Sequence, residues 1–244
     1  MSTNKGREEW KVYGNVFSQH SKALLFQMSS QGHFEELQST IKVGKEANVF
    51  SANTKQDHKI IVKIYRLENC NFGKMYEYLS QDPRYTSLNK KTRMIIFAWT
   101  QREYKNLLFA REVIKVPKPI TFKDNILLME FIGDDDPAPE LKDSPPKNPK
   151  KFYKKVLDNM KKLFDHGMIH GDLSSFNILN YNEEPVFIDF SQSTMTTANN
   201  AKELIQRDVR NMSIYFRKFF PISEEEELKT YNKIVGKKNV KKSE

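Results

Sequence analysis

The stretch that most constrains this chain reads Met168-Ile169-His170-Gly171-Asp172-Leu173-Ser174-Ser175-Phe176-Asn177, followed shortly by Val186-Phe187-Ile188-Asp189-Phe190. It sets two carboxylates and an amide on short turns, each beside a β-type run, Ile178-Leu179 in one case and Val186 to Ile188 in the other. Taken singly, an Asp at the end of an apolar run is most often a turn residue or a helix N-cap. The order H-G-D-x-x-x-x-N and then I-D-F is much harder to reach by accident. Mg²⁺ is a hard, hexacoordinate ion that takes carboxylate, amide and phosphate oxygens, so Asn177 and Asp189 suit it as ligands. Asp172 is then free to orient an attacking hydroxyl or water. The chemistry indicated is phosphoryl transfer.

Such chemistry also needs a cation for the phosphates. Ile60-Ile61-Val62-Lys63-Ile64-Tyr65 is an apolar run broken by one lysine and reads as a strand buried on both faces. An ammonium placed there needs a counter-charge. A helix expected from about Lys91 to Ala110 supplies one, because Ile96, Trp99, Glu103 and Leu107 recur at helical spacing and put Glu103 on an apolar stripe. Upstream, Ile41 to Phe50 reads as two short strands joined by a turn at Gly44, where backbone N–H groups can approach phosphate oxygens. The turn is no Walker A motif, since it lacks a second Gly before Lys-Ser or Lys-Thr.

Elsewhere the pattern is structural. Val16, Phe17, Leu24, Leu25, Met28 and Phe34 predict one or two packing helices. Residues 69–91 are polar and mixed, which for so long a connection implies a functional or mobile segment. Ile126 to Ile132 reads as another buried strand, and Gly133-Asp134-Asp135-Asp136-Pro137 after it as a solvated turn. Phe152, Val156, Met160, Leu163 and Phe164 form the inner face of a lysine-rich helix, and Ala201 to Phe219 give a further helix with Asp208 on its apolar side. Glu224 to Glu227 and the lysines after them read as a frayed, charged tail.

Composition sets the remaining limits. The chain has 244 residues, 38% hydrophobic and 12% aromatic, which fits a globular protein of one or two domains. It has no apolar run of about 18 residues and no signal-like start, so a soluble, cytoplasmic protein without a membrane partner is expected. The lone Cys70 excludes an internal disulfide and a cysteine-rich metal site. A formal charge of +9 exceeds what ATP alone requires and favours nucleic acid as a partner.

The residues resemble a family pattern from about Val16 to Phe219. The carrying pieces are Gly44-Lys45-Glu46-Ala47-Asn48-Val49-Phe50, Val62-Lys63-Ile64-Tyr65, Glu103 with Asn106-Leu107, Met129-Glu130-Phe131-Ile132-Gly133, the two catalytic stretches, and Arg207-Asp208-Val209-Arg210-Asn211. Together they are similar to the RIO family of atypical protein kinases, in particular its RIO1 type. Too little chain precedes Gly44 for the winged-helix domain of the RIO2 type. The resemblance implies an α+β, bilobal protein-kinase-like fold, with an antiparallel sheet in the N-lobe and a small C-lobe lacking the activation loop and substrate-binding subdomains. It implies a helical extension over 1–40, an N-lobe over 41–132 with a flexible insertion at about 69–91, a C-lobe over 133–222 and a tail over 223–244.

By the same resemblance ATP and Mg²⁺, with Mn²⁺ as an alternative, are the cofactors. Lys63 contacts phosphate with Glu103 as partner, and Gly44, Lys45, Glu46, Ala47 and Val49 form the phosphate-side loop. Met129, Glu130 and Ile132 meet the adenine. Asp172 is the catalytic Asp, Asn177 and Asp189 hold the metal, and Asp189 is the residue on which an aspartyl-phosphate would form. The implied role is maturation of the small ribosomal subunit and its rRNA, by a protein that is monomeric off the ribosome and acts largely as an ATPase. Two departures stand out: Lys42-Val43 replaces the family's Ser-Thr before the loop glycine, and Ser175-Phe176 replaces Glu-Tyr before Asn177. Two other readings share part of the pattern. One is a small-molecule phosphotransferase of the aminoglycoside or choline kinase kind, for which little C-terminal chain remains. The other is a non-catalytic assembly factor gated by nucleotide.

Overall fold

The computed structural model describes residues 17–68, 70–85 and 90–236. They fall into two compact units: one runs to Lys105 and takes in Lys118–Phe131, and the other holds Asn106–Pro117 and the residues from Ile132 onward.

The first unit is built on a five-stranded antiparallel sheet in the order β1-β2-β3-β5-β4, with β1 at Glu36–Val43, β2 at Ala47–Asn53, β3 at Lys59–Tyr65, β4 at Pro119–Lys123 and β5 at Ile126–Glu130. Strand β3 is central and, as its apolar run predicts, nearly all buried. Alternation sends its side chains to two different layers. Ile60, Val62 and Ile64, with Phe50 and Ala52 of β2, pack against Leu24, Leu25 and Met28 of helix α1, Gln19–Ser30. Tyr65 and Ala47 instead join the cluster of Leu67, Met75, Leu79, Ile95, Ile96 and Trp99. That cluster draws on helices α2, Phe72–Ser80, and α3, Thr92–Ala110. Helix α1 is opened by Ser18, whose hydroxyl accepts from the Ser21 N–H at 3.1 Å. Val16, expected to join these helices, lies outside the described residues.

Two expected boundaries change here. Strand β1 begins at Glu36, so residues 36–40 belong to the sheet rather than to a helical extension. Its two faces are largely exposed, as befits an edge strand, and so its polar start carries no alternation to read. The expected flexible insertion contains α2, capped by the Asn71 side chain and anchored by buried Met75 and Leu79 one turn apart. Beyond it a 3₁₀ turn, Pro83–Tyr85, is held by Asp82, which pairs with Arg84 at 2.6 Å and Arg102 at 3.3 Å. Burial works against the ionised Asp82, but the Arg84 hydrogen bonds prevail and leave its carboxyl below the usual range. Asn69 and residues 86–89 of that stretch lie outside the described residues.

The second unit carries helices α4 at Pro149–Asp165, α5 at Ala201–Phe216 and α6 at Glu224–Val235. It also carries two small two-stranded sheets, β6 Met168–Ile169 with β9 Thr194–Met195, and the hairpin of β7 Ile178–Tyr181 with β8 Glu184–Phe187. Helix α4 starts with Pro at its first turn behind the Asn148 cap and buries Phe152, Val156, Met160 and Leu163. Tyr153 packs on Phe216 of α5 and its hydroxyl lies 3.1 Å from Ser213 Oγ.

The expected frayed tail is instead helix α6. Ser223 and Glu226 form a reciprocal capping box, Ile234 is buried, and Arg217 holds Glu227 at 2.7 Å. Four consecutive glutamates look self-repelling in sequence, yet in a first helical turn they meet the positive end of the macrodipole. The lysines from 237 onward lie outside the described residues.

Candidate active site

Strand β6 delivers His170-Gly171-Asp172 into the second unit. Gly171 has φ 78°, and a Cβ there would stand 3.0 Å from the Gln192 carbonyl oxygen, so the turn accepts only glycine without strain. Helix α5 clamps the same turn from below. Fully buried Asp208 accepts from the Gly171 N–H at 2.8 Å and the Leu173 N–H at 2.9 Å. Arg207 donates to the Gly171 carbonyl, and Asn211 Nδ2 donates to the Leu173 carbonyl at 3.1 Å. Burial pushes the Asp208 carboxyl up to about 7, against the opposing pull of its two amide donors and Arg207.

The clamped backbone presents Asp172. Its Oδ2 accepts from Gln192 Nε2 at 3.1 Å and from Asn177 Nδ2 at 3.4 Å, and its carbonyl accepts from Asn177 Nδ2 at 2.8 Å. His170 supports the loop from behind. Its Nε2 donates to the Ile188 carbonyl at 3.0 Å, which leaves Nδ1 as the acceptor facing the Asp172 N–H at 3.4 Å.

Asn177 and Asp189 are tied through the backbone, since the Ile188 N–H donates to the Asn177 carbonyl at 3.0 Å. Asp189 adopts the left-handed conformation, φ 61° and ψ 70°, which Asp tolerates better than most residues. Its Oδ1 accepts from Ser191 Oγ at 2.8 Å. The 3₁₀ turn that follows, Phe190–Gln192, is held by buried Asn106, whose Nδ2 donates to the carbonyls of Phe190 and Ser193 at 2.9 and 3.1 Å.

This donor set fits Mg²⁺. With its nitrogen spent on Asp172, Asn177 has only Oδ1 left to offer, and Oδ1 makes no hydrogen bond among the described residues. The Asp189 carboxylate would supply the second hard oxygen. Among the described residues no three His, Cys, Asp or Glu side chains cluster to hold a metal, so phosphate and water oxygens would complete the octahedron.

In the first unit the two inward charges meet as the sequence predicts. Lys63 Nζ lies 2.7 Å from Glu103 Oε1, with the residues 7% and 1% exposed. Tyr65 donates its hydroxyl to the other Glu103 oxygen, and the Lys63 ammonium stands 5.1 Å from the Tyr65 ring centre. Removing one partner of a buried pair costs about 3–5 kcal/mol, so Glu103→Ala is expected to destabilise the protein by that order. Urea unfolding measures this, and an unchanged midpoint would show that the pair carries no stability.

The β1–β2 turn is tight. Gly44 N–H donates to the Ala47 carbonyl at 2.9 Å, and a Cβ on Gly44 would come within 2.8 Å of that oxygen. Lys45 is exposed, the Glu46 carbonyl accepts from the Arg66 N–H at 2.9 Å, and Val49 pairs with Lys63 in register. Cys70 points its thiol at the Arg66 carbonyl, 3.2 Å away, and burial pushes it up to about 11, so it is an inert side chain. Met129 and Glu130 end β5, where the Glu130 N–H is committed to the Lys118 carbonyl at 2.8 Å. Ile132 opens the second unit, and its carbonyl accepts from the Ala138 N–H at 2.8 Å.

Sequence reasoning placed Asp208 on an apolar helix face without giving it a task, and Asn106 and Gln192 had none either. A carboxylate among Leu204, Ile205, Val209 and Met212 is a readable signal, since buried carboxylates need donors. Gln192 ends the Ile188 to Gln192 stretch that carries part of the family resemblance, which by itself assigns it no contact.

Phosphoryl transfer calls for a lysine at the phosphates, hard oxygen ligands for the metal and a carboxylate at the nucleophile, and the chain carries side chains of each of these types. The profile of the RIO domain matches residues 48–229. The RIO-type serine/threonine-protein kinase Rio1 of Methanocaldococcus jannaschii is 39% identical over 213 residues, covering 86% of this chain and 73% of its own. Its namesake in Haloferax volcanii is 36% identical over 216 residues, with 88% and 74% covered. The human serine/threonine-protein kinase RIO1 is 31% identical over 219 residues, which are 87% of this chain and 39% of that protein. Among solved structures, the Rio2 kinase-ADP/Mg²⁺-phosphoaspartate complex from Chaetomium thermophilum shares the fold with a TM-score of 0.65 at 23% identity, covering 88% of this chain and 66% of that one. The chain belongs to the RIO domain family, whose named relatives here are serine/threonine-protein kinases. That membership sets aside the small-molecule phosphotransferase reading.

Proposed function

We propose that this protein is a Mg-ATP-dependent serine/threonine kinase and ATPase of the RIO1 type, acting on the small ribosomal subunit precursor. The observation that carries the reading is the commitment of the Asn177 nitrogen to Asp172, which reserves the amide oxygen for a cation, with Asp189 following Ile188, whose N–H holds the Asn177 carbonyl. Bound Mg²⁺ supplies charge neutralisation for the phosphates. Lys63, held by Glu103, takes the α- or β-phosphate, and the turn from Gly44 to Ala47 with Val49 lies along the phosphates. The Glu130 carbonyl and Ile132 N–H read the adenine edge beside Met129. Asp172 accepts the proton of the attacking hydroxyl or water.

Asp189 is also the phosphoryl acceptor in this reading. One of its oxygens attacks the γ-phosphorus, the bond to the β-bridging oxygen breaks and ADP leaves; water then cleaves the acyl phosphate to release phosphate and restore the carboxylate. In its favour, the structurally similar Rio2 complex is described as a phosphoaspartate. The partner RNA is supported by the +9 charge and by exposed Lys150, Lys151 and Lys154 on α4.

Single-turnover hydrolysis of γ-labelled ATP, with and without purified small ribosomal subunits, tests the proposal. Expected are an acid-stable, hydroxylamine-labile label on the protein that disappears in Asp189→Asn, and a change in rate when subunits are added. Absence of both turnover and labelled protein would refute it. The RNA part is separable: neutralising Lys150, Lys151, Lys154 and Lys155 should flatten the plot of log K against log salt by about 0.7–0.9 for each phosphate that these lysines cease to neutralise. An unchanged slope would make that face merely solvated.

A further inference from the structure

On the face of the sheet that carries α1, a cleft of about 500 Å³ opens beside the first turn of that helix. Asn48 and Ile64 line it and share the alternation of Phe50 and Val62, so it lies on the opposite side of β2 and β3 from Lys63. It is therefore distinct from the phosphate-side surface described above. Buried Phe17, Ile64 and Leu67 make its apolar part.

Its polar part consists mainly of donors. Asn48 is 1% exposed; its Oδ1 accepts from Arg66 Nη2 at 3.3 Å, while its Nδ2 has no acceptor among the described residues. Arg66 is half-buried and its Nε is likewise without an acceptor. Ser18 caps the Ser21 N–H, but the N–H groups at the very start of α1, that of Gln19 among them, have no acceptor within the helix. An unmet buried donor costs about 1–3 kcal/mol, so a cleft that sets Arg66 Nε beside the Asn48 amide and the exposed start of α1 is poised for an acceptor. The one acidic lining residue among those described, Glu68, is exposed at the rim, where solvent screens it. A guanidinium beside a helix N-terminus suits a dianionic oxyanion, which can meet donors from three directions.

We propose that this cleft binds a small phosphate monoester, its phosphate on Arg66, Asn48 and the first turn of α1 and its apolar or aromatic body against Phe17, Ile64 and Leu67. The site does not depend on the kinase reading.

The test is an NMR titration of the full chain with phenyl phosphate, inorganic phosphate and benzoate, with and without ADP and Mg²⁺. The readouts are the Gln19 and His20 amides and the Asn48 side-chain amide. Phenyl phosphate should give saturable shifts of the same affinity in both nucleotide states, and should bind about tenfold tighter than benzoate, as a charge-assisted, multidentate anion does. Arg66→Met should weaken it by about tenfold or more, the worth of one charged hydrogen bond. Gln19→Pro guards against misfolding of that variant. Proline is tolerated at a first helical position, and Ser18 with ψ 157° already has the extended backbone that must precede it. It removes one N–H donor and should weaken binding by about threefold or more. The proposal is overturned if no saturable shift occurs up to about 20 mM phenyl phosphate, far above any useful affinity. It is equally overturned if benzoate binds as well, if ADP competes, or if both variants titrate like the native protein.

Discussion

Asp172→Asn is expected to bind Mg-ATP as the native protein does while turning over more slowly by a factor of about 10²–10⁴, the usual worth of a positioned acid or base. The substitution keeps the side chain's size and leaves Asn177 and Asp189 in place. What it removes is the carboxylate proposed to take the nucleophile's proton. Asp189→Asn should behave differently. It takes a charge from the proposed metal site, so nucleotide affinity in the presence of Mg²⁺ and turnover should fall together. Calorimetry of Mg-ATP binding beside single-turnover hydrolysis separates the two. If Asp172→Asn abolished binding while Asp189→Asn turned over normally, the roles assigned to these carboxylates would be wrong.

Asp208→Ala is expected to be as damaging to turnover as a change in the site itself, although Asp208 would touch no substrate. It leaves the Gly171 and Leu173 N–H groups buried without an acceptor, at about 1–3 kcal/mol each. It also frees the backbone on both sides of Asp172. Asp208→Asn retains one acceptor oxygen and should recover part of both losses. The carboxyl adds a pH dependence of definite sign. Its value rises from 3.8 to about 7 on folding, so between these the folded protein holds a proton that the unfolded chain has released. The contribution of this group to stability is therefore fully present below about pH 4 and is lost as pH rises through about 7, at about 1.4 kcal/mol per unit. Asn cannot titrate, so the stability of the native protein relative to Asp208→Asn should fall from pH 5 to pH 8. A pH-independent difference would mean that Asp208 is ionised throughout, and an unaltered midpoint and turnover in Asp208→Ala would remove it from the site altogether.

The parts of the site legible in the sequence are those for which chemistry narrows the choice of residue. A lysine inside an apolar strand demands an acid, and only Glu103 stood on a matching stripe; Lys63 and Glu103 indeed meet at 2.7 Å. Asp172, Asn177 and Asp189 stand out as candidates because phosphoryl-transfer acids and hard-ion ligands come from few residue types at close spacing. What holds them was less legible. Asp208, Asn106 and Asn211 act on backbone groups 35 to 87 residues away, and a peptide N–H or carbonyl has no residue type to advertise it. The same distinction runs through the fold. Strand β3 and helix α3 bury regular patterns, whereas β1 is an exposed edge, α2 is anchored by a single pair one turn apart, and α6 depends on a capping box whose glutamates suggest a loose tail.

The two-layer arrangement about β3 bears on which changes in length this protein can survive. Odd positions 63 and 65 serve Glu103, and even positions 60, 62 and 64 serve the layer under α1. A single residue gained or lost within the strand would reverse that parity, driving the ammonium of Lys63 into leucine and methionine and turning Val62 or Ile64 towards Glu103. Two residues would restore the faces but shift the lysine by a full repeat along the strand. Drift in chain length therefore has to be absorbed in the turn from Thr54 to His58, where two backbone bonds of 2.9 and 3.0 Å close the hairpin, while the strand itself tolerates substitution but not miscounting.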